Sequence, residues 1–198
     1  MKKSITLFVI IALSHILMAF RAENDEPTSY KVVLDESSSI RILGETNVNC
    51  FSCAHDKNLP VDTLLVLSNA RGSYFELSDT EISVPVNGFK CGLRQMTSEM
   101  MELLDEENHP DLKLNVLSIK RNGSNIEAFT LINIGGNGVV YKVCSTLDSR
   151  QNWTACQGSL DLNIRDFGLE PPTKLLGAIR VKEIITIEFD LKLKIIEN

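Results

Sequence analysis

The residues with types and spacings suited to chemistry are five cysteines, three histidines and a few clustered carboxylates. Cys50-x-x-Cys53 has the spacing used for thiol exchange and for metal ligation. Exchange needs the first thiol at a helix N-terminus, where the dipole favours the thiolate, and no helical pattern follows Cys53. A zinc site needs four ligands, which Cys50, Cys53, His55 and Cys91 supply only nominally. Cys144 and Cys156 lie at equal distances from Arg150, the centre of a polar turn, so a hairpin there sets them opposite each other within disulfide range. His55 and His109 stand beside no nucleophile, His109 reads as a turn residue before Pro110, and no Gly-x-Ser-x-Gly elbow occurs. Asp105, Glu106 and Glu107 read as the solvated end of a helix. Gly135-Gly136-Asn137-Gly138 lacks the spacing of a phosphate loop and reads as a hairpin turn. An enzyme is therefore not expected, and no cofactor is implied.

The elements that carry these residues are announced by the N-terminus and by period-two patterning. Lys2 and Lys3 precede an apolar run from Ile5 to about Phe20, which Ser14 and His15 interrupt and Arg21 ends. That is the outline of a signal peptide, with cleavage after Ala19 or Ala22, although Leu17 or Phe20 then occupies a position that prefers a small residue. The expected organisation is a signal peptide over 1–22, a linker over 23–28 and one domain over 29–198, with no membrane span after processing. Loss of residues 1–22 removes three of the 20 basic groups and none of the 26 acidic ones, so the net charge moves from −6 to −9. The basic residues are interleaved with acidic ones, which argues against a nucleic-acid partner. Five cysteines in an exported chain favour disulfides.

Ile185, Ile187, Phe189, Leu191, Leu193 and Ile195 alternate with Thr186, Glu188, Asp190, Lys192 and Lys194, the pattern of a strand with one dry and one wet face. Shorter alternations occur at Ile82, Val84 and Val86, at Leu112, Leu114 and Val116, and at Leu160, Leu162 and Ile164. Turns are expected at Gly135–Gly138, at Arg121–Ser124 and at 148–152. Two of these turns contain the sequons Asn122-Gly123-Ser124 and Asn152-Trp153-Thr154, which matter only in a host that glycosylates secreted proteins. One segment breaks the β pattern: from Thr97 to about Glu107, Met100, Met101, Leu103 and Leu104 share one side of a helix, with Thr97 or Ser98 as cap and Pro110 as stop. About eight strands with one inserted helix must close or double up to protect their edges, which gives a barrel or a sandwich.

Particular residues then match a known family. Ser38-Ser39-Ile40 leading into Gly44-Glu45-Thr46-Asn47-Val48-Asn49 and Phe51-x-Cys53 resembles the start of YceI-like domains, in the branch with a motif close to TNVNxFxC. Val84-x-Val86 with Phe89-Lys90-Cys91-Gly92 is similar to the second cysteine segment of that branch. Met96, Met100, Leu104 and His109-Pro110 resemble its helix and following turn, and Asp166-Phe167-Gly168-Leu169, Pro171-Pro172, Gly177 and Val181-Lys182 resemble its closing segment. The matches run in order from Tyr30 to the C-terminus; the extra cysteines and Leu169, where Ile is common, depart from the pattern.

The resemblance implies an all-β fold, an extended eight-stranded antiparallel lipocalin-like barrel with one inserted α-helix, periplasmic or secreted. It also implies a long apolar cavity, which in some relatives holds a polyisoprenoid or similar lipid, and a Cys53–Cys91 disulfide that leaves Cys50 unpaired. The candidate lining is Ile82, Val84, Met100, Leu104, Leu112, Leu114, Leu160, Leu162, Ile164, Ile185, Ile187, Phe189 and Leu191. The expected partner is an apolar small molecule or lipid. The rival expectation is a barrel with a filled core that acts through its surface, as an interaction or stress-response protein.

Overall fold

The computed structural model describes residues 28–56, 59, 63–71, 73–150, 152–174 and 178–197. The signal segment, most of the linker and Gly177 lie outside them. Three interrupted strand pairs open the chain: β1 (Thr28–Leu34) and β2 (Ser39–Glu45), then β3 (Cys50–His55) and β4 (Thr63–Arg71), then β5 (Tyr74–Ser78) and β6 (Glu81–Pro85). A 3-10 turn at Val86–Gly88 leads to the short β7 (Phe89–Lys90) and helix α1 (Arg94–Leu103). Four strands follow, β8 (Asp111–Asn122), β9 (Asn125–Ile134), β10 (Asn137–Ser149) and β11 (Thr154–Asn163). A second 3-10 turn at Ile164–Phe167 and the small pair β12 (Thr173–Lys174) and β13 (Ile179–Arg180) precede the long β14 (Ile184–Glu197).

The pairings run β1-β4-β5-β8-β9-β10-β11-β14, all antiparallel, and β14 pairs β1 in turn, so the circuit closes on itself. Each interrupted pair acts as one stave of the wall. Tyr30 lies opposite Glu197 and Ser39 opposite Asp190, so β1 and β2 together run along β14 with the bend at Asp35–Ser38 between them. In the same way β5 and β6 both run along β8, with a kink at Asp79, whose φ is 58°. The result is an eight-staved up-and-down barrel, in which closure leaves far less free edge than an open sheet would. At one end β3 pairs β7 while β6 pairs β8, so there the covalent turn at Val86–Gly88 joins the neighbouring staves.

The alternation read from the sequence sets the faces. Ile185, Ile187, Leu191 and Leu193 pack on the apolar cluster of Leu34, Ile42, Cys53, Leu59, Val84, Phe89 and Cys91. Thr186 and Glu188 face outward, to Asp161 and Arg41. A second cluster of Val86, Leu104, Ile132, Ile134, Leu162, Ile164 and Phe167 fills the end that carries α1. Met100, Leu112, Leu114, Ile185 and Ile187 pack on both clusters and join them.

Two expectations are corrected by local geometry. The helix spans Arg94–Leu103, starting three residues before Thr97, because Leu93 is still extended (φ −96°, ψ 131°) and supplies no side-chain cap. Thr97 Oγ1 instead accepts the Cys91 N–H at 3.0 Å and donates to the Leu93 carbonyl at 3.2 Å, tying the first turn to the disulfide. Cys144 and Cys156 are not bridged. Ser149 pairs with Thr154, which shifts the turn past Arg150 and places Cys144 opposite Ser159 and Cys156 opposite Leu147. That shift changes the register by an odd number of residues, so the two thiols point to opposite faces of the wall. The shifted turn is held by the Arg150 N–H to the Trp153 carbonyl at 2.9 Å, with Arg150 and Lys192 both over the Trp153 ring.

Candidate functional site

The inward-facing side chains form an apolar interior, and the strand residues picked out by period-two reading are placed on its cross-strand pairs. Leu162 lies opposite Ile185, Leu160 opposite Ile187, and Cys156 opposite Leu191 across the β11–β14 pair. On the other side of β14, Ile42 lies opposite Ile187. Ile82 and Leu114 pair across β6 and β8, as do Val84 and Leu112. Val84 and Leu162 are 2% exposed, Ile164 3% and Leu104 7% towards the helix-bearing end, and Leu34 8% and Ile126 6% towards the other. Ile82, Met100, Leu112, Leu114, Leu160, Ile185, Ile187, Phe189 and Leu191 are only half-buried.

Phe167, unexposed, is the plug of the helix-bearing end. Its 3-10 turn is fixed from several sides. The Tyr141 ring stacks on Phe167 at a centroid distance of 6.0 Å, and its hydroxyl donates to Asp166 Oδ2 at 2.5 Å while accepting the Asn163 N–H at 3.2 Å. Asn137 Nδ2 donates to the Phe167 carbonyl at 2.9 Å. Gly168 leaves the turn at φ 72°, in the left-handed region that a side chain disfavours. Burial first, and the bond to Asp166 second, push the Tyr141 phenol above its ordinary pKa. Sequence reading passed over Phe167 as a plug, since a lone Phe in a turn carries no periodic signal; the Asp166-Phe167-Gly168 match was the only pointer.

The cysteines divide by face. Cys53 and Cys91 form the disulfide, which ties β3 to the segment entering α1, and the Met100 sulfur lies 3.7 Å from Cys91 Sγ in van der Waals contact. Two of the four nominal zinc donors are thereby consumed as disulfide sulfurs. Cys50, three residues from Cys53, is exposed on the outer face. Cys156 faces inward near Ser145, the sulfur 3.5 Å from Ser145 Oγ, and burial raises its thiol pKa. Among the described residues no group of three or more His, Cys, Asp and Glu side chains could hold a metal ion. None of the described helices is long and apolar enough to cross a membrane.

Outside the barrel, the segment carrying β12 and β13 is fastened to the β2–β3 turn. Asn47 does this with its amide, donating to the Ala178 carbonyl at 2.9 Å and accepting the Arg180 N–H at 2.8 Å. Thr46 Oγ1 meanwhile accepts the N–H groups of Val48 and Asn49. The Thr46-Asn47-Val48-Asn49 motif is thus a fastening and not part of the lumen. Two open grooves of about 620 Å³ and 710 Å³ run beside this segment and share Lys182 and Ile184. Their charges are largely paired within the wall: Arg165 with Glu183 and Glu170, and Lys182 with Glu45.

An up-and-down antiparallel barrel with an apolar interior defines a lipocalin-like architecture. No family model matches the chain, and no curated relative matches it. Solved structures do. BcnA of Burkholderia cenocepacia superposes with a TM-score of 0.63 at 14% identity, over 80% of this chain and 98% of that one. A polyisoprenoid binding domain from Saccharophagus degradans, implicated in plant cell wall breakdown, gives 0.57 at 10% identity, over 82% and 97%. A mutant of the Campylobacter jejuni YCEI protein gives 0.51 at 8% identity, over 67% and 80%. The chain has the YceI-like fold.

Proposed function

We propose that this protein is an exported, non-catalytic carrier that holds one long apolar molecule, a polyisoprenoid or similar lipid, inside the barrel. The observation that carries the reading is the partial exposure of apolar side chains on the inward face of the wall. A filled core leaves inward side chains without accessible surface. Here Ile185, Ile187, Phe189 and Leu191 face the interior yet stay half-buried, as do Leu112, Leu114 and Leu160 on other staves. Apolar surface left accessible within a closed wall is what a hydrocarbon chain covers favourably, at about 25 cal/mol per Å². The polyisoprenoid binding domain with the same fold supports the ligand class. The disulfide fits export to an oxidising compartment.

Native mass spectrometry of the purified protein, followed by lipid extraction, tests the reading. The expected result is one hydrophobic adduct per chain that organic extraction removes. Uniformly ligand-free protein that also fails to take up added polyprenol would overturn it. That outcome would favour a barrel acting through its outer surface, for which the two contiguous grooves beside Lys182 and Ile184 are the supporting observation.

A further inference from the structure

Phe189 stands apart from the other lumen residues. The inward residues on either side of it along β14, Ile185, Ile187, Leu191 and Leu193, are all packed on an apolar cluster, whereas Phe189 is in neither cluster among the described residues. Its two cross-strand neighbours are Ile40 on β2 and Gly158 on β11. A Cβ built on Gly158 would fall 2.6 Å from Phe189 Cζ, so the ring lies over the glycine, in the recess that a missing side chain leaves in the wall. The same Cβ would fall 2.6 Å from the Cys144 carbonyl oxygen, a backbone atom that cannot move aside, so the recess cannot be filled by another residue at 158. Towards the plug, the wall is aliphatic: Ile187, Ile185, Leu160 and Leu162. Ser145 lies opposite Gly158, in register with the ring, and beyond it Leu191, Leu193 and Leu34 continue the apolar wall, with Cys156 opposite Leu191. The largest side chain of the inward β14 row therefore sits at mid-strand and is held by a recess and not by cluster packing.

We propose that Phe189 is the specificity-determining residue of the lumen: lodged over Gly158, its ring sets the width of the bore at mid-barrel and restricts the barrel to a single slender hydrocarbon chain. This rests on the lumen reading above. A slender chain passes the ring while it lies in its recess; a fused-ring molecule of similar carbon count needs the ring gone.

The test is competition against the fluorescent probe N-phenyl-1-naphthylamine, using a linear C18 alcohol and a sterol as competitors, on the wild type, Phe189→Ala and Leu191→Ala. Circular dichroism confirms that each variant is folded, and Phe189→Met replaces Phe189→Ala if the latter is not. The wild type is expected to bind the linear alcohol and to reject the sterol. In Phe189→Ala the sterol gains roughly 10-fold or more while the linear alcohol changes by less than about 3-fold, the scale on which an apolar pocket discriminates by a few carbon atoms. Leu191→Ala is expected to leave the preference as it is. Equal changes for both competitors in Phe189→Ala, or the same change in Leu191→Ala, overturns the role of Phe189 and leaves the lumen standing. Failure of the wild type to bind either the probe or the linear alcohol overturns the lumen reading, and this proposal with it.

Discussion

At the residue scale, Asn47 and the cysteines show what single side chains decide. Asn47 supplies both a donor and an acceptor to a backbone segment more than a hundred residues away, so its amide imitates one rung of a β ladder. Asn47→Ala removes both bonds from an exposed position, and the expected cost is about 1 kcal/mol, read from urea denaturation, because water replaces part of what is lost. Asn47→Asp keeps the acceptor only and should fall between the two. The thiols give a sharper test. Alkylation of the unfolded, unreduced protein should modify Cys50, Cys144 and Cys156 and leave Cys53 and Cys91 blocked. Changing Cys53 and Cys91 to Ala together should destabilise by roughly 2–4 kcal/mol, since the bridge closes a long loop in the unfolded chain. The Cys144–Cys156 pairing failed as a sequence inference because it assumed a turn centred on Arg150. Trp153, with two cations over its ring, belongs to the turn and moves the register. Nothing in a polar pentapeptide announces that shift, and an odd shift reverses faces.

At the scale of elements, the long strands were legible and the interrupted ones less so. Ile185 to Ile195 alternate without a break because β14 has a stave on each side over most of its length and one face turned to the interior. By contrast β1 and β2 form a single stave, yet Asp35–Ser38 breaks the period between them, and so they read as separate short strands. The helix start was misplaced for a related reason: Thr97, a good cap by type, is engaged with Cys91 and Leu93. The plug at Ile164–Phe167 is the element with the clearest energetic test. Phe167→Ala should cost about 3–5 kcal/mol, as expected when a fully buried aromatic is removed. Tyr141→Phe removes the hydroxyl that joins Asp166 to Asn163 and should show a distinct pH signature. In the folded protein the phenol holds its proton more tightly than in the unfolded chain. Its stabilising contribution is therefore complete below the ordinary pKa of 10.0 and is lost as pH rises through the raised folded value. Melting temperatures measured across that alkaline range should fall more steeply for the wild type than for Tyr141→Phe.

For the whole molecule, period two gave the faces of the strands and left a barrel or a sandwich open, the resemblance pointed to the barrel, and neither gave how far each inward residue is buried. Leu162 and Leu160 look alike in sequence, yet Leu162 is 2% exposed within the plugged end and Leu160 remains half-buried. Depth along the barrel axis depends on where Phe167 and α1 come to rest, and no local pattern encodes it. This sets the choice of probes: Leu162→Trp should overpack the helix-bearing end and cost roughly 1–3 kcal/mol. Leu160→Trp should be better tolerated and should lower uptake of added polyprenol, as measured by native mass spectrometry. A drop in melting temperature of the same size for both variants would indicate that the lumen is filled at Leu160 as well.

The closing strand also bears on the order of folding. β14 follows every other stave in the chain and pairs with β11, β1 and β2, the last two more than a hundred residues upstream. Until it docks, the nascent sheet has two open edges, one along β1 and β2 and one along β11, each with apolar residues beside unpaired backbone groups. Such edges invite pairing with other chains, and contacts of this sequence separation form slowly. Synthesis from the N-terminus cannot close the barrel early. The polypeptide stays open until its final stave emerges, so the barrel is completed only when β14 is free to dock between β11 and the β1–β2 stave.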